Sequence, residues 1–186
     1  FLAQHSVPHV LAWCFPKSTG HHAVGFDNQK SGRAIAEHVI SYGHRKLGVI
    51  AGLRDGNDRA QDRILGIQDA IDAHPGVQLL GLQECKYSFE EAGSALDNLL
   101  SGPVHPTAII CGSDVLAVGA MLRARDLGLQ IPEDISITGF DDINLARVTT
   151  PGLTTVRVPQ HDMGRKAAHV LLGLLDADAP QPQSYE

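Results

Sequence analysis

Residues Ile135–Asp142 read ISITGFDD: an apolar run suited to a buried strand, a Thr-Gly-Phe step, then two adjacent carboxylates. A carboxylate pair is costly to take out of water and gains nothing from packing, so it belongs either to a solvated turn or to a site that holds something. The segment in front of it has the same rhythm. TAIICG (107–112) is strand-like, SDVLAVGAMLRARDLG (113–128) carries a helical pattern with Gly128 where a helix C-cap falls, and IPED (131–134) makes a turn.

The pattern continues on both sides. LGVIAG (47–52) precedes a helix over 58–73 with Ala60, Ile64, Ile67 and Ile71 at three-and-four spacing. VQLLGLQEC (77–85) precedes a helix over 89–100 striped by Ala92, Leu96 and Leu99, and LTTVRV (153–158) is a fifth strand. Strands that are apolar throughout, alternating with helices, indicate a parallel sheet covered on both faces, that is, a doubly wound α/β lobe. VPHVLAW (7–13) and AVGF (23–26) read as further strands. DNQKSGRAIAEHVISYGH (27–44) reads as a helix capped by Asp27 or Asn28 and stopped by Gly43. QHDMGRKAAHVLLGLL (160–175) is a last helix with Met163, Ala167, Leu171 and Leu174 on one face. These flanking elements are too few to close a core of their own and read as parts of a second lobe, while the tail DADAPQPQSYE (176–186) reads as linker.

The bulk composition is globular, with 43% hydrophobic and 19% charged residues in 186. No apolar run approaches the roughly 18 to 20 residues that span a bilayer, and the opening residues lack the features of a signal peptide. The chain begins without Met and reads as a piece of a longer one. A net charge of −6, with basic residues scattered, leaves no footprint for a phosphate backbone. Cys14, Cys85 and Cys111 are odd in number and outside any CxxC spacing, which points to reduced thiols and a cytoplasmic protein. Among the ten histidines, His5 and His9 are separated by Pro8 and no HExxH or Cys/His set occurs, so no metal site is expected.

In an open parallel sheet, ligands bind beyond the carboxyl ends of the strands. The residues that follow each strand here are Arg54, Asp55, Asp58, Arg59 and Arg63; Tyr87 and Phe89; Ser113 and Asp114; and Asp141 with Asp142. Arginines, carboxylates, a hydroxyl and an aromatic face on one edge suit a polyhydroxylated, sugar-like ligand. Each also has a plainer use: Ser113 and Asp114 as helix N-caps, Asp142 as a turn residue, Arg63 in a surface ion pair, and one of Tyr87 and Phe89 in packing. There is no GxGxxG, GxxxxGK[ST] or GxSxG motif and no evident nucleophile, so neither catalysis nor a cofactor is expected.

GHRKLGVIAG (43–52), the Arg63-Ile-Leu-Gly66 step, the run from Pro106 through ISITGFDD, and TPGLTTVRVP (150–159) together resemble the LacI/GalR family of bacterial transcriptional repressors. The likeness is to their effector-binding domain, which is similar to type I periplasmic sugar-binding proteins. The resemblance implies two doubly wound lobes, with the C-terminal lobe complete at 45–156 and the N-terminal lobe partial at 1–44 and 157–186. Crossovers would lie near 43–46 and 156–158. It implies a small carbohydrate or sugar acid bound between the lobes by Arg63, Asp141, Ser113 and one of Tyr87 and Phe89, with Cys14 where the family often has a polar contact and Val158 where a Gln is common. It also implies homodimerisation, and DNA binding only through an N-terminal helix-turn-helix not contained in this chain. HHAVGFDNQKSGRAIAEHVISYGHRK (21–46) resembles the gluconate-repressor branch most. The competing expectation is a periplasmic sugar-binding protein of an uptake system, against which the three unpaired cysteines argue.

Overall fold

The computed structural model describes residues 7–15, 20–175 and 184–185. In chain order its elements are β1 (Val10–Ala12), β2 (His22–Val24), α1 (Asn28–Ser41), β3 (Lys46–Gly52), α2 (Asp58–Asp72), β4 (Gln78–Cys85), α3 (Phe89–Leu100), β5 (Ala108–Cys111), α4 (Asp114–Asp126), β6 (Ser136–Asp141), a 3-10 turn at Asn144–Arg147, β7 (Thr154–Arg157), α5 (Gln160–Gly173) and β8 (Ser184–Tyr185). They group into two compact units, one of residues 29–158 and one of residues 1–28 with 159–186.

The larger unit is built on a five-stranded sheet in the order β4-β3-β5-β6-β7, every pairing parallel. Because neighbouring residues of a strand face opposite sides, the apolar-throughout strands feed two cores at once. Ile50, Ile109, Cys111 and Ile137 pack under Ala92, Leu96, Leu116 and Ala120 of α3 and α4. Leu47, Val49, Ala51, Ala108 and Ile110 pack under Ile35, Val39, Ile67 and Ile71 of α1 and α2. The helices start where the sequence offers caps. Asn57, Ser88 and Ser113 accept hydrogen bonds from the amides of Ala60, Glu91 and Leu116, each satisfying an N–H that the first turn leaves open. Gly43 and Gly128, at φ 94° and 77°, take the left-handed conformation that ends a helix.

The division by packing falls between Asn28 and Gln29 and between Val158 and Pro159; the boundaries expected from the sequence were 44/45 and 156/157. The difference lies in α1, whose Ile35, Ala36, Val39 and Ile40 are buried against β3 and α2. Its amphipathic stripe is evident in the sequence, but a stripe does not say which sheet it covers.

The smaller unit carries a three-stranded sheet, β1-β2-β8, with both pairings parallel. The tail reading is corrected here: Ser184 and Tyr185 are not linker but a strand, with Ala23 opposite Ser184 and the Gly25 amide donating to the Tyr185 carbonyl at 3.0 Å. The Lys166 ammonium lies 4.0 Å from the centre of the Tyr185 ring, adding cation–π attraction. A two-residue strand behind a Pro- and Asp-rich segment has too short an apolar pattern to read. Residues 1–6, 16–19, 176–183 and 186 lie outside the described residues, so the linker reading of 176–183 is not compared.

Cys85 and Cys111 are buried and Cys14 is half-buried, none of them bridged. Burial pushes the Cys85 thiol up to about 11 and the Cys111 thiol higher still. No helix among the described residues is long and apolar enough to cross a membrane, and no group of three His, Cys, Asp or Glu among them could hold a metal ion.

Candidate functional site

The carboxyl ends of β5 and β6 converge on Arg63. Its position on the buried stripe of α2, with Ala60 one turn before and Ile67 one turn after, carries the side chain under the strand ends rather than out to solvent. Arg63 is only 7% exposed. Its Nη1 donates to the Gly112 carbonyl at 2.7 Å, at the exit of β5. The guanidinium carbon lies 3.7 Å from the centre of the Phe140 ring, and Nη2 is 3.6 Å from Asp141 Oδ1. Burial works against the Arg63 charge, and Asp141 is the first group to offset it. The plainer alternative, a surface ion pair, does not describe Arg63: it is a buried cation held by a carbonyl, a ring face and a carboxylate. The signal was present in the sequence: an Arg on an apolar stripe.

Asp141 closes β6 and faces Arg63 with a fifth of its side chain exposed. Burial pushes its carboxyl up to about 6, although Arg63 pulls it down. Asp142 is the turn residue the sequence allowed. It accepts from Arg157 Nε at 2.7 Å and Arg147 Nη2 at 3.2 Å, and these bonds hold its carboxyl below the ordinary range.

Ser113 and Asp114 divide the role that the sequence left open. Ser113 is the N-cap of α4, its hydroxyl 3.3 Å from the Leu116 amide. Asp114 is fully buried, accepting at Oδ2 from the Ile143 amide at 2.8 Å and at Oδ1 from the Thr155 hydroxyl at 2.5 Å. Burial raises its carboxyl and the Thr155 bond opposes the shift.

Of the two aromatics the structure brings Tyr87 to this edge and places Phe89 elsewhere. The Tyr87 hydroxyl lies over Gly52, where a side chain on the last residue of β3 would collide with it. Half of Tyr87 remains exposed, and Asn57 Nδ2 donates to its hydroxyl at 3.3 Å. Phe89 takes the packing role that the sequence left open for one of the two aromatics. Ser88, extended at φ −133° and ψ 155°, turns the chain into α3, so Phe89 is the first helical residue. It lines a groove with Val118, Met121 and Leu122 of α4. Arg54 is bound to Glu84 through Nε at 2.9 Å and Nη2 at 2.5 Å, and Arg59 stands 3.8 Å from Asp58 on the exposed start of α2. Arg54 is thus committed to Glu84, whereas the Arg59 charge still reaches the edge and helps to pull the Asp141 carboxyl down. Cys14 lies in the smaller unit just after β1, with its backbone against Gly25 and its side chain half-buried. Three contributors were missed in the sequence: the Gly112 carbonyl, the Phe140 ring and Thr155.

The buried Arg63–Asp141 pair stands at the carboxyl edge of a doubly wound parallel sheet, the edge at which such sheets bind small molecules. A family model described as a periplasmic binding protein-like domain matches residues 36–186. The chain belongs to that family, in its LacI-type branch. It is 33% identical over 178 residues to the HTH-type transcriptional repressor PurR of Shigella sonnei, a match covering 95% of this chain and 52% of the relative. The chain thus spans about half the length of the curated relatives it matches. Among solved structures, the transcription regulator GntR of Chromobacterium violaceum is 32% identical with a TM-score of 0.86, over 98% of this chain and 69% of that one. A LacI-family sugar-binding transcriptional regulator of Escherichia coli, solved with phosphate, is 27% identical with a TM-score of 0.85, over 99% and 66%.

Proposed function

We propose that this chain is the effector-sensing domain of a cytoplasmic, DNA-binding transcriptional repressor, and that it binds a small carbohydrate or sugar acid at the carboxyl edge of the five-stranded sheet. Arg63, Asp141, Ser113 and Tyr87 are the residues we assign to binding, and the unit of residues 29–158 is the C-terminal lobe. The observation that carries the reading is the buried Arg63–Asp141 pair, which presents a fixed donor fork and an acceptor to adjacent ligand hydroxyls while Tyr87 offers a ring face. The domain binds its ligand without turning it over. DNA is contacted by a part of the protein outside this chain. The relatives, regulators rather than uptake proteins, support this reading over a periplasmic role.

The test is thermal melting against monosaccharides, sugar acids, sugar phosphates and nucleosides. A ligand at about 100 times its Kd stabilises the fold by roughly 2.7 kcal/mol. Asp141→Ala is expected to cancel that shift and also to lower the ligand-free melt, because Arg63 is left buried without the carboxylate that offsets its charge; an undiminished ligand-induced shift overturns the assignment.

The pH dependence follows from the raised Asp141 carboxyl. A group whose folded value lies above its ordinary one holds its proton more tightly when folded. Its contribution to stability is fully present below about pH 4 and is lost as pH rises through about 6. Ligand binding runs the opposite way, because ligand hydroxyls donate to the ionised carboxylate. Calorimetric titrations at pH 5 and pH 7.5 should show weaker binding at the lower value, and equal affinity would show that Asp141 does not accept from the ligand.

We also infer a homodimer. α4 is apolar from Val115 to Leu122, and its outer side forms a groove of about 540 Å³ lined by Val118, Met121, Leu122, Leu145 and Val148, with Arg125 at its charged end. Leu122 and Val148 are 38% and 75% exposed. An apolar face of this kind on a repressor that reads two-fold operators fits a second copy of the same face. Val148→Glu with Leu122→Glu should shift the sedimentation coefficient from dimer to monomer; an unchanged value excludes this face.

A further inference from the structure

Asp114 is a fully buried carboxylate that the binding reading does not use. It stands at the start of α4, directly behind the turn that carries Asp141. Both aspartates of that turn have positive φ, 114° at Asp141 and 53° at Asp142. Such conformations are uncommon for residues with a Cβ and persist only where the surroundings impose them. Asp114 and Thr155 supply that constraint from inside. Asp114 Oδ2 accepts from the Ile143 amide, Oδ1 accepts from the Thr155 hydroxyl, and the same hydroxyl oxygen lies 3.4 Å from the Asp142 amide. Arg147 and Arg157 hold the Asp142 carboxylate from outside. Gly139 leaves room for the arrangement, since a side chain there would collide with Asp114 Oδ1.

We propose that Asp114 and Thr155 are positioning residues: together they clamp the turn after β6, holding Asp141 and Asp142 at positive φ, and so fix the direction in which Asp141 meets the effector. The proposal rests on the assignment of Asp141 to effector binding. Neither residue need touch the ligand. Thr155 transmits the restraint through one hydroxyl that donates inward to Asp114 and accepts from the turn. Serine can reproduce both bonds; valine, of nearly the same shape, can make neither.

The test compares Thr155→Val and Thr155→Ser with the parent chain by three measurements: amide hydrogen exchange at Asp142 and Ile143, the carboxyl titration of Asp141 followed by carbon NMR, and calorimetric binding of D-gluconate and D-glucose as an acidic and a neutral sugar probe. Thr155→Val should speed exchange at the two amides about ten-fold, shift the Asp141 titration, and weaken the bound probe by about ten-fold, a factor equal to 1.4 kcal/mol. Thr155→Ser should restore all three. A valine variant that binds with parental affinity, or whose Asp141 titrates as in the parent, overturns the clamp, because a role confined to stability would move the melt and leave both readouts alone. If neither sugar binds the parent, the carbohydrate reading fails on its own, and the Asp141 titration still decides for or against the clamp.

Discussion

Arg63→Ala abolishes ligand-induced stabilisation and also weakens the ligand-free fold by about 3 kcal/mol, because it removes one partner of a buried pair and leaves a buried carbonyl without its donor. The two partners differ in what each leaves behind when the other is removed. Asp141 keeps some exposure and can relieve its charge by protonation near pH 6. Arg63 lies inside the core, on the Phe140 ring and against Gly112. Without the guanidinium, the Asp141 carboxyl loses the neighbour that pulls it down and should titrate above its present value of about 6. Arg63→Lys restores a charge but not the fork or the flat stacking surface, so it should recover part of the stability and little of the binding. Urea unfolding and the ligand-induced melting shift, measured on the same variants, check both statements. An alanine variant as stable as the parent would show that Arg63 is not held as described.

The second large effect is remote from the ligand. Gly32 of α1 and Gly66 of α2 let two helix backbones meet: a side chain on Gly66 would overlap the Gln29 carbonyl, and one on Gly32 would overlap the carbonyl of Arg63. Backbone cannot swing aside as a flexible side chain can, so the helices must separate and open the core that Ile35, Val39, Ile67 and Ile71 share. Gly66→Ala should therefore cost about 3 kcal/mol, at the upper end for an overpacked core, despite alanine's better helix propensity. The measurement is the urea midpoint, and a midpoint unchanged or raised would contradict the close approach. Since Gly66 lies within one turn of Arg63, any ligand-dependent shift should shrink as well.

Much of this architecture was legible in the sequence for a simple reason. A parallel strand buried on both faces is apolar throughout, and a helix covering it is striped, so LGVIAG, IIC and ISITGF could be placed along with the helices between them. Turn chemistry marked some of the ends: Ser113, Gly43 and Gly128 act where they were expected to, while the caps at Asn57 and Ser88 emerge only in the structure. What could not be read was anything depending on which surface meets which. The stripe of α1 does not name its sheet. Ser184 and Tyr185 gain their strand from β2, not from their own pattern. Tyr87 and Phe89 are separated by one residue, and only the extended Ser88 decides which reaches the sheet edge. At the site, the residues that end strands were visible as a set, because strand ends are readable. The groups that hold them were not: a main-chain carbonyl has no side-chain signature, and Thr155 looks like any outward residue of a short strand until Asp114 is seen behind it.

The three cysteines have a practical side. Reagents that modify thiols at neutral pH need both a thiolate and a path to it. Cys85 and Cys111 offer neither, being buried with their thiols held protonated far above neutrality. That leaves Cys14 as the address at which the native chain can carry a dye or spin probe with no substitution. A label there reads the smaller unit, while the sheet that holds Arg63 and Asp141 keeps its sulfurs hidden.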